Sequence, residues 1–415
     1  VLHNGTCTYT NIGYVVTVFK AFRYRFYPAP EQELLLRRTV GCCRLVYNKA
    51  LHQRSEAWTS GQKSIGYAAQ SSTLTEWKKS DGLAFLNEVS SVPLQQTLRH
   101  LQTAYSNFFA KRAKYPRFKK RRSGGAAEFT RSAFRMVDGK VYLAKMTEPL
   151  AIRWSRPLPA GAEPSTVTVG FDSAGRWHVS MLCEDASIKP LKMLKTAVGI
   201  DVGLNSLVTL STGEHIVNPR HDNRELARKR VLSRRYARTQ KGSKNRDKAR
   251  IKLARLHARV TDRRRDHLHK LSTRIVHENQ VVVVEDLNVR GMVRNRSLAR
   301  SISDAGWGEL VMQLEYKCDW YGRQFVKVDR WFPSSKTCSS CGLVLERLDL
   351  STRNWRCEGC GAEHDRDHNA AKNILAAGLA VSVCGPDVSQ RVLRNTVQSG
   401  LKQKSSAVKS GISAL

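Results

Sequence analysis

The chain has 415 residues and carries 70 Lys and Arg against 35 Asp and Glu, a formal net charge of +35. This excess is far larger than solubility requires, and it indicates a polyanionic partner. With 41% hydrophobic residues the chain can build packed cores, which excludes a disordered basic tail. The length is typical of roughly two to four domains. The longest apolar runs, such as Val281–Val284, are far too short to span a membrane, so no membrane partner is expected.

The first half of the chain predicts a strand, then helices, then more strands. Alternating apolar residues over Val18–Tyr27, ended by Pro28, are typical of a half-buried strand. Apolar residues then recur every three or four positions over Pro30–Ala110, which predicts a small helical domain. Over Glu128–Glu184, short β-prone runs separated by Gly and Pro predict a small antiparallel barrel or sheet that could include the N-terminal strand.

The second half alternates strands with helices, which is the order of an α/β domain. A cysteine-rich segment lies between the last expected strand and the last expected helix. The residues after about Pro386 have little periodicity and predict a disordered tail. The expected elements are strands at Ala197–Val202, Ser206–Leu210 and Glu214–Val217, a helical run over Asn223–Glu278, a strand at Gln280–Val284, a helix at Trp307–Tyr321, a strand at Phe325–Val328 and a last helix from about Arg366.

Two close cysteine pairs predict a zinc ribbon. The ligands would be Cys338, Cys341, Cys357 and Cys360. Four unrelated buried cysteines would not explain the glycines that follow each pair. The six other cysteines have no framework spacing, and free thiolates need a reducing compartment, so a cytoplasmic setting is expected. Because four cysteines suffice, His364 and His368 are expected at the surface or as supports of the ligands.

Two basic segments are candidates for nucleic-acid binding. Eight of the twelve residues in Lys111–Arg122 are basic, and Tyr115 and Phe118 between them favour a stacking surface over a mobile charge run. Arg220–Lys270 holds 20 basic and 5 acidic residues. Five acids are too few to neutralise these cations in a salt-bridged helix pair, so contact with a nucleic-acid backbone is favoured. The candidate contacts are Arg23, Arg25, Lys111, Arg112, Arg117, Lys119, Lys120, Arg121, Arg234, Arg235, Arg263, Arg264 and Arg265.

Three acids in distant segments form the candidate catalytic set. Asp201 and Glu285 close apolar strands, and Asp367 opens the last helix. Each alone could be a helix cap or turn residue, and Asp365 competes for the third position. Together they have the layout of an RNase H-like nuclease, in which carboxylates bind two magnesium or manganese ions for phosphodiester hydrolysis. The sequence contains no Gly-x-x-x-x-Gly-Lys loop and no Gly-x-Ser-x-Gly elbow that would indicate another chemistry.

An ordered set of motifs over Val18–Ala376 resembles the TnpB family, the RuvC-type nucleases of bacterial insertion sequences, which are related to compact type V CRISPR effectors. The motifs are Phe22-Arg23-Tyr24-Arg25-Phe26-Tyr27-Pro28, Tyr115-Pro116-Arg117-Phe118-Lys119-Lys120, Gly199-Ile200-Asp201-Val202-Gly203, Val284-Glu285-Asp286-Leu287, Ser301-Ile302-Ser303-Asp304-Ala305-Gly306-Trp307-Gly308, the cysteine pairs, and Asp365-Arg366-Asp367-x-Asn369-Ala370-Ala371.

The resemblance implies an α/β multidomain protein with an RNase H-like (RuvC) core. It also implies a catalytic triad of Asp201, Glu285 and Asp367 with two magnesium or manganese ions, and one structural zinc on the four cysteines. The implied segments are an N-terminal extension at 1–17, a wedge β-barrel at 18–28 and 122–194, a helical recognition domain at 29–121, the RuvC core at 195–330, the zinc ribbon at 331–364, the last RuvC helix at 365–382 and a disordered tail at 383–415.

The resemblance further implies an RNA-guided DNA endonuclease of the prokaryotic cytoplasm, acting at the nucleoid. Its partners would be a guide RNA and double-stranded target DNA read beside a short adjacent motif, with one protein copy per guide RNA. A compact type V CRISPR effector would use the same chemistry, and a guide-dependent repressor would bind without cutting. A transposase acting on DNA ends without a guide is disfavoured, because no tyrosine or serine recombinase motif is present.

Overall fold

The computed structural model describes residues 18–61, 64–121, 124–349 and 351–381. The expected N-terminal extension at 1–17 and tail at 383–415 lie outside these residues. The chain divides into two compact units, one extending to Ile188 and including Val231–Ala258, the other made of Lys189–Arg230 and the residues from Arg259 onward. Within the described ranges, every helix is too short or too polar to cross a bilayer.

The first unit combines three helices with a five-stranded antiparallel sheet. Its elements are β1 (Phe19–Phe26), α1 (Pro30–Thr59), α2 (Tyr67–Lys79), α3 (Ser91–Phe109), β2 (Gly125–Thr130), β3 (Phe134–Val137), β4 (Lys140–Leu143), β5 (Ile152–Arg153), β6 (Pro164–Phe171) and β7 (Trp177–Glu184). The strand order is β2-β6-β7-β1-β5, and β3 and β4 form a separate hairpin. The N-terminal strand therefore joins the later strands, as the sequence indicated.

One hydrophobic core joins these helices to the sheet. Phe22, Tyr24 and Phe26 of β1 are buried in the same cluster as Leu36 of α1 and Leu98 of α3. In the described residues the strands run in the order β2 to β5 without a ladder between these two edges, and the wedge β-barrel stays a prediction. The functional division into segments 29–121 and 122–194 stays a prediction.

A mixed five-stranded sheet organises the second unit. The remaining elements are β8 (Ala197–Val202), β9 (Ser206–Leu210), β10 (His215–Val217), α4 (His221–Arg224), α5 (Leu226–Arg238), α6 (Lys244–Glu278), β11 (Val281–Glu285), α7 (Val289–Met292), α8 (Ala299–Ala305), α9 (Trp307–Tyr321), β12 (Gln324–Val328), β13 (Asn354–Arg356), β14 (Glu363–Asp365) and α10 (366–381). The expected helical run is thus divided into α4, α5 and α6, and the parts of α5 and α6 within 231–258 belong to the first unit. The sheet order is β10-β9-β8-β11-β12.

The β11 strand consists of four valines before Glu285, as expected for a strand covered on both faces of the sheet. Val282 and Val284 belong to a core that includes Leu271 of α6 and Leu314 of α9. Val283 points to the other face, where its cluster includes Ile374 of α10. The β11 strand runs parallel to both β8 and β12, whereas β9 is antiparallel to both of its neighbours, β8 and β10.

The last helix, α10, approaches β8 backbone to backbone. A Cβ atom at Gly199 would lie 2.2 Å from the Ala371 carbonyl oxygen and 2.7 Å from the Leu375 nitrogen. Ala370 and Ala371 are themselves buried, so small residues on both elements permit the contact. This contact fixes the first turns of α10 above the strand that carries Asp201.

We expect Gly199→Ala to lower the stability of the second unit. The added methyl group meets main-chain atoms that cannot rotate away, so the free energy of unfolding should fall by roughly 1–3 kcal/mol. Gly308→Ala is the matched control, because a Cβ atom there meets nothing within 4 Å. Thermal unfolding of both variants measures the effect; an unchanged midpoint for Gly199→Ala would contradict the close packing.

Candidate active site and zinc site

Three acids converge at the carboxyl edge of the mixed sheet. Val284 of β11 pairs with Ile200 of β8 in a parallel ladder, so Glu285 and Asp201 occupy the next position along neighbouring strands. Asp367 lies in the first turn of α10, which packs on β8. The structure thus brings together the three acids that the sequence identified from three distant segments.

The electrostatics of this edge show that the carboxylates interact. Burial, and after it the charges of Asp367 and Glu285, raise the pKa of Asp201 to about 7. Burial, and then the charge of Asp286, raise the pKa of Glu285 to about 7. No ion pair to Asp201 or Glu285 occurs in the described chain, and Asp367 meets Arg353 at 3.4 Å.

Carboxylates crowded in this way fit divalent cations. Hard oxygen donors with unneutralised charge are what magnesium and manganese prefer, and bound cations would lower the raised pKa values. The three acids do not form a cluster with all ligand atoms within 4.8 Å, as the four cysteines do within the described ranges.

Asp365 and Asp367 differ in what their side chains do. Asp365 ends β14, and its Oδ1 accepts a hydrogen bond of 2.8 Å from the His368 backbone N–H, which caps α10. Asp367, two residues further on, acts on Asp201 through its charge. The two acids therefore have different contacts, and the assignment of Asp367 as the third acid stays a prediction.

The four cysteines form a compact sulfur cluster. The Sγ atoms of Cys338, Cys341, Cys357 and Cys360 all lie within 4.8 Å of one another. The pairs Cys338–Cys360 and Cys341–Cys357 are 3.7 and 3.6 Å apart. A tetrahedral zinc with bonds of about 2.3 Å needs sulfur separations of about 3.8 Å, so the four thiols fit this ion.

A buried histidine supports the sulfur cluster. The Nε2 atom of His364 lies 3.1 Å from Cys338 Sγ, and its ring packs on Trp355 at 4.7 Å. Burial raises the pKa of Cys338, but hydrogen bonds from the Cys341 and Ser340 backbone and from His364 outweigh it and lower the pKa to about 5. His364 is thus a support of the ligands and not a surface residue. His368 instead places Nε2 3.2 Å from the Ser211 carbonyl oxygen.

Arg23 and Arg25 lie on the outer face of β1, opposite the side chains that enter the core. Arg23 pairs across the ladder with Ser180, and Arg25 pairs with His178. Burial, and then the charges of Arg23 and Arg25, lower the pKa of His178 to about 4. This face therefore carries its positive charge on the two arginines, with a neutral histidine between them near pH 7.

Residues 111–121 lie against α1, and their cations are exposed. Asn48 of α1 accepts a hydrogen bond from the Lys119 N–H at 2.8 Å and donates one to the Lys119 carbonyl oxygen at 3.1 Å. Tyr115 packs edge-on against Tyr105 and Phe108, so this aromatic anchors the segment. Phe118 remains exposed and is the stacking candidate here. Lys111, Arg112, Arg117, Lys120 and Arg121 are exposed.

The five arginines proposed on the long helices differ in their contacts. Arg234 and Arg235 are exposed on α5. The other three are held by the protein itself, and their contacts are Arg263 with Glu225 at 3.1 Å, Arg264 with the Ser303 carbonyl oxygen at 3.0 Å and Arg265 with Glu309 at 3.1 Å. These contacts partly satisfy the three guanidinium groups within the second unit. Arg234 and Arg235 are therefore the stronger candidates for nucleic-acid contact.

One exposed aromatic was missed by sequence reasoning. Trp331 is 84% exposed and lies three residues after β12, whose last residue pairs with Glu285. The Asp329 side chain accepts a hydrogen bond from the Trp331 N–H at 2.8 Å, and Arg330 pairs with Asp286. Trp331 therefore stands on a fixed turn near the acids. Its sequence signal was only a tryptophan in a polar loop after a strand.

Comparison with known proteins identifies relatives along nearly the whole chain. A protein of Streptomyces pristinaespiralis named "Putative RNA-guided DNA endonuclease" is 60% identical over 400 residues, covering 96% of this chain and 99% of the relative. The protein InsQ of Escherichia coli K12, with the same description, is 36% identical and covers 88% of this chain and 94% of the relative.

Family models and a solved structure agree with these relatives. The OrfB IS605 model, described as "Probable transposase", matches residues 178–296, and a Cas12f1-like TNB domain matches 307–374. A helix-turn-helix model matches 18–63, where the described residues form β1 and α1. Cas12f1, solved by cryo-EM with sgRNA and target DNA, shares the fold with a TM-score of 0.53, 14% identity, and coverage of 86% of this chain and 98% of that chain. The chain belongs to the TnpB family, the OrfB proteins of IS605-type elements.

Proposed function

We propose that this protein is an RNA-guided, metal-dependent DNA endonuclease encoded by a transposon. The observation that carries the proposal is the convergence of Asp201, Glu285 and Asp367 at one sheet edge, with mutual repulsion and few internal cations. The names of the close relatives support the same activity. A compact type V CRISPR effector would have the same chemistry, but the transposase family model favours the transposon.

The three acids would hold two magnesium or manganese ions. Bound there, the ions would activate water and stabilise the leaving oxygen in phosphodiester hydrolysis. Asp201 is the central member, because the charges of the other two both act on it. Asp365 orders the first turn of α10 as its cap and so sets the direction of Asp367.

We further propose a RuvC-type, RNase H-like core built by the mixed sheet and α10, with the zinc ribbon inserted between β12 and α10. The segment at 29–121 would recognise the nucleic acids, and the sheet of the first unit would be the wedge. A guide RNA and double-stranded target DNA are the partners that suit a net charge of +35. One protein copy per guide RNA is proposed, in the prokaryotic cytoplasm at the nucleoid.

The central test compares two acids that lie two residues apart. Asp367→Asn should lower cleavage on the order of 10³-fold, because it removes an anionic metal ligand. Asp365→Asn should cleave like the wild type, because asparagine also caps helices. Sequencing the RNA that copurifies supplies the matching duplex for a magnesium-dependent cleavage assay.

Asp201→Ala and Glu285→Ala should lose activity like Asp367→Asn. Unchanged cleavage by Asp201→Ala would overturn the assignment of the site. Guided binding by the wild type without any cleavage product would instead support the repressor alternative, and RNA-free binding to element ends would support an unguided transposase.

The raised pKa of Asp201 predicts a pH-dependent stability without divalent ions. Between about pH 4 and pH 7 the native carboxyl keeps a proton that the unfolded chain releases, so stability falls as the pH rises through this window. In EDTA at pH 8, Asp201→Asn should therefore be more stable than the wild type by roughly 1–2 kcal/mol. The difference should vanish near pH 4.

Thermal unfolding at both pH values measures this effect. Magnesium should raise the unfolding midpoint of the wild type at pH 8 more than that of Asp201→Asn, because the ion binds the native acids. Equal midpoints of the two proteins in EDTA across this pH range would show that burial and the neighbouring carboxylates do not raise the pKa of Asp201 in the folded protein.

Trp331 is expected to stack on a base of the DNA strand that enters the site. Its exposure of 84% leaves the indole face free, and its turn is fixed beside Asp286 and Glu285. Trp331→Ala should lower the single-turnover cleavage rate by about tenfold, whereas Trp331→Phe should keep most of it. Wild-type rates in Trp331→Ala would exclude stacking.

A further inference from the structure

Two buried asparagines join α10 to the zinc ribbon. Asn369 is 1% exposed and Asn373 is 6% exposed, and they lie one helical turn apart on the same face of α10. A buried amide is costly unless its polar atoms are paired. The pairing groups of both side chains belong to the ribbon segment at 334–339, and not to the sheet beneath the helix.

The hydrogen bonds of these amides are short and point to main-chain atoms. Asn369 Oδ1 accepts from the Ser339 N–H at 2.9 Å, and its Nδ2 donates to the Thr337 carbonyl oxygen at 2.8 Å. Asn373 Nδ2 donates to the carbonyl oxygens of Ser334 and Thr337 at 2.8 and 2.6 Å. The asparagines therefore bond both sides of Cys338, whose thiol belongs to the sulfur cluster.

The second half of the ribbon holds the same turn of α10 from the other side. Strand β14 runs directly into the helix, and the Arg366 N–H donates to the Arg353 carbonyl oxygen at 2.7 Å. Arg353 in turn meets the Asp367 carboxylate at 3.4 Å. Both cysteine pairs are thus linked, through short chain segments, to the helical turn that carries Asp367.

We propose that Asn369 and Asn373 are positioning residues through which the zinc-bound ribbon holds Asp367 at the acid cluster. The like charges of Asp367 and Asp201 push the first turn of α10 away from β8, and the amide bonds oppose that displacement. The catalytic part of this inference rests on the proposed nuclease function. An asparagine suits position 369 because its amide accepts an N–H and donates to a carbonyl at once, and the Asn373 amide donates to two carbonyl oxygens.

Hydrogen exchange tests the mechanical link without any cleavage assay. Removing zinc from the full-length wild type should increase exchange in residues 366–372, while β8 and β11 stay protected. Asn369→Leu and Asn373→Leu, which keep the side-chain size but lose the hydrogen bonds, should cause the same increase with zinc present. Leu379→Ala, at an exposed position of α10, should not. Unchanged exchange of residues 366–372 after zinc removal and in both asparagine variants would overturn the proposal.

The magnesium dependence of cleavage tests the positioning role. Asn369→Leu and Asn373→Leu should raise the magnesium concentration for half-maximal cleavage by about tenfold, with guide RNA and target DNA binding unchanged. A variant that is merely unstable would yield less active protein at an unchanged magnesium midpoint, and that result would contradict positioning. A wild type that never cleaves would refute the proposed function. The exchange experiment would still show whether the ribbon holds the first turns of α10 in place.

Discussion

The backbone contact between α10 and β8 is the constraint on which the candidate site depends. Gly199 and Ala371 leave no room for a side chain between the helix and the strand, so Asp367 is held above Asp201. This arrangement brings like charges together, which costs free energy in the absence of bound cations. Burial of Ile374 against Val283, together with the asparagine bonds to the ribbon, must offset that cost. The site is therefore held by packing and by bonds to residues outside the three acids, because the acids do not attract one another.

Features that depend on residues close together in the sequence could be predicted. The valines of β11 indicated a buried strand, and the structure places α6 and α9 on one face and α10 on the other. The cysteine spacing was sufficient to predict a four-sulfur cluster, because the turns after each pair bring the thiols together. The acids Asp201 and Glu285 stood out because charged residues are costly at the ends of buried strands.

Features that depend on distant partners could not be predicted. Counting cations indicated the partner class, but only the fold shows that Arg263 and Arg265 are engaged by Glu225 and Glu309. Tyr115 was expected to stack on bases, yet it packs against rings of α3. The choice between barrel and sheet also depends on whether edge strands meet, which strand periodicity does not encode.

The ribbon and the acid cluster are connected through α10, and their ligand atoms are of two kinds. Sulfur ligands favour zinc and oxygen ligands favour magnesium or manganese, so under the proposed function the two sites would not compete for the same ion. Because β14 continues into α10, an ordered ribbon limits the positions that Asp367 can take. The carboxylates repel one another, so a helix held only by its own apolar face would tend to relax away from the sheet. The ribbon supplies hydrogen-bond partners for the turn between Asp365 and Asn369, which is the turn on which that repulsion acts.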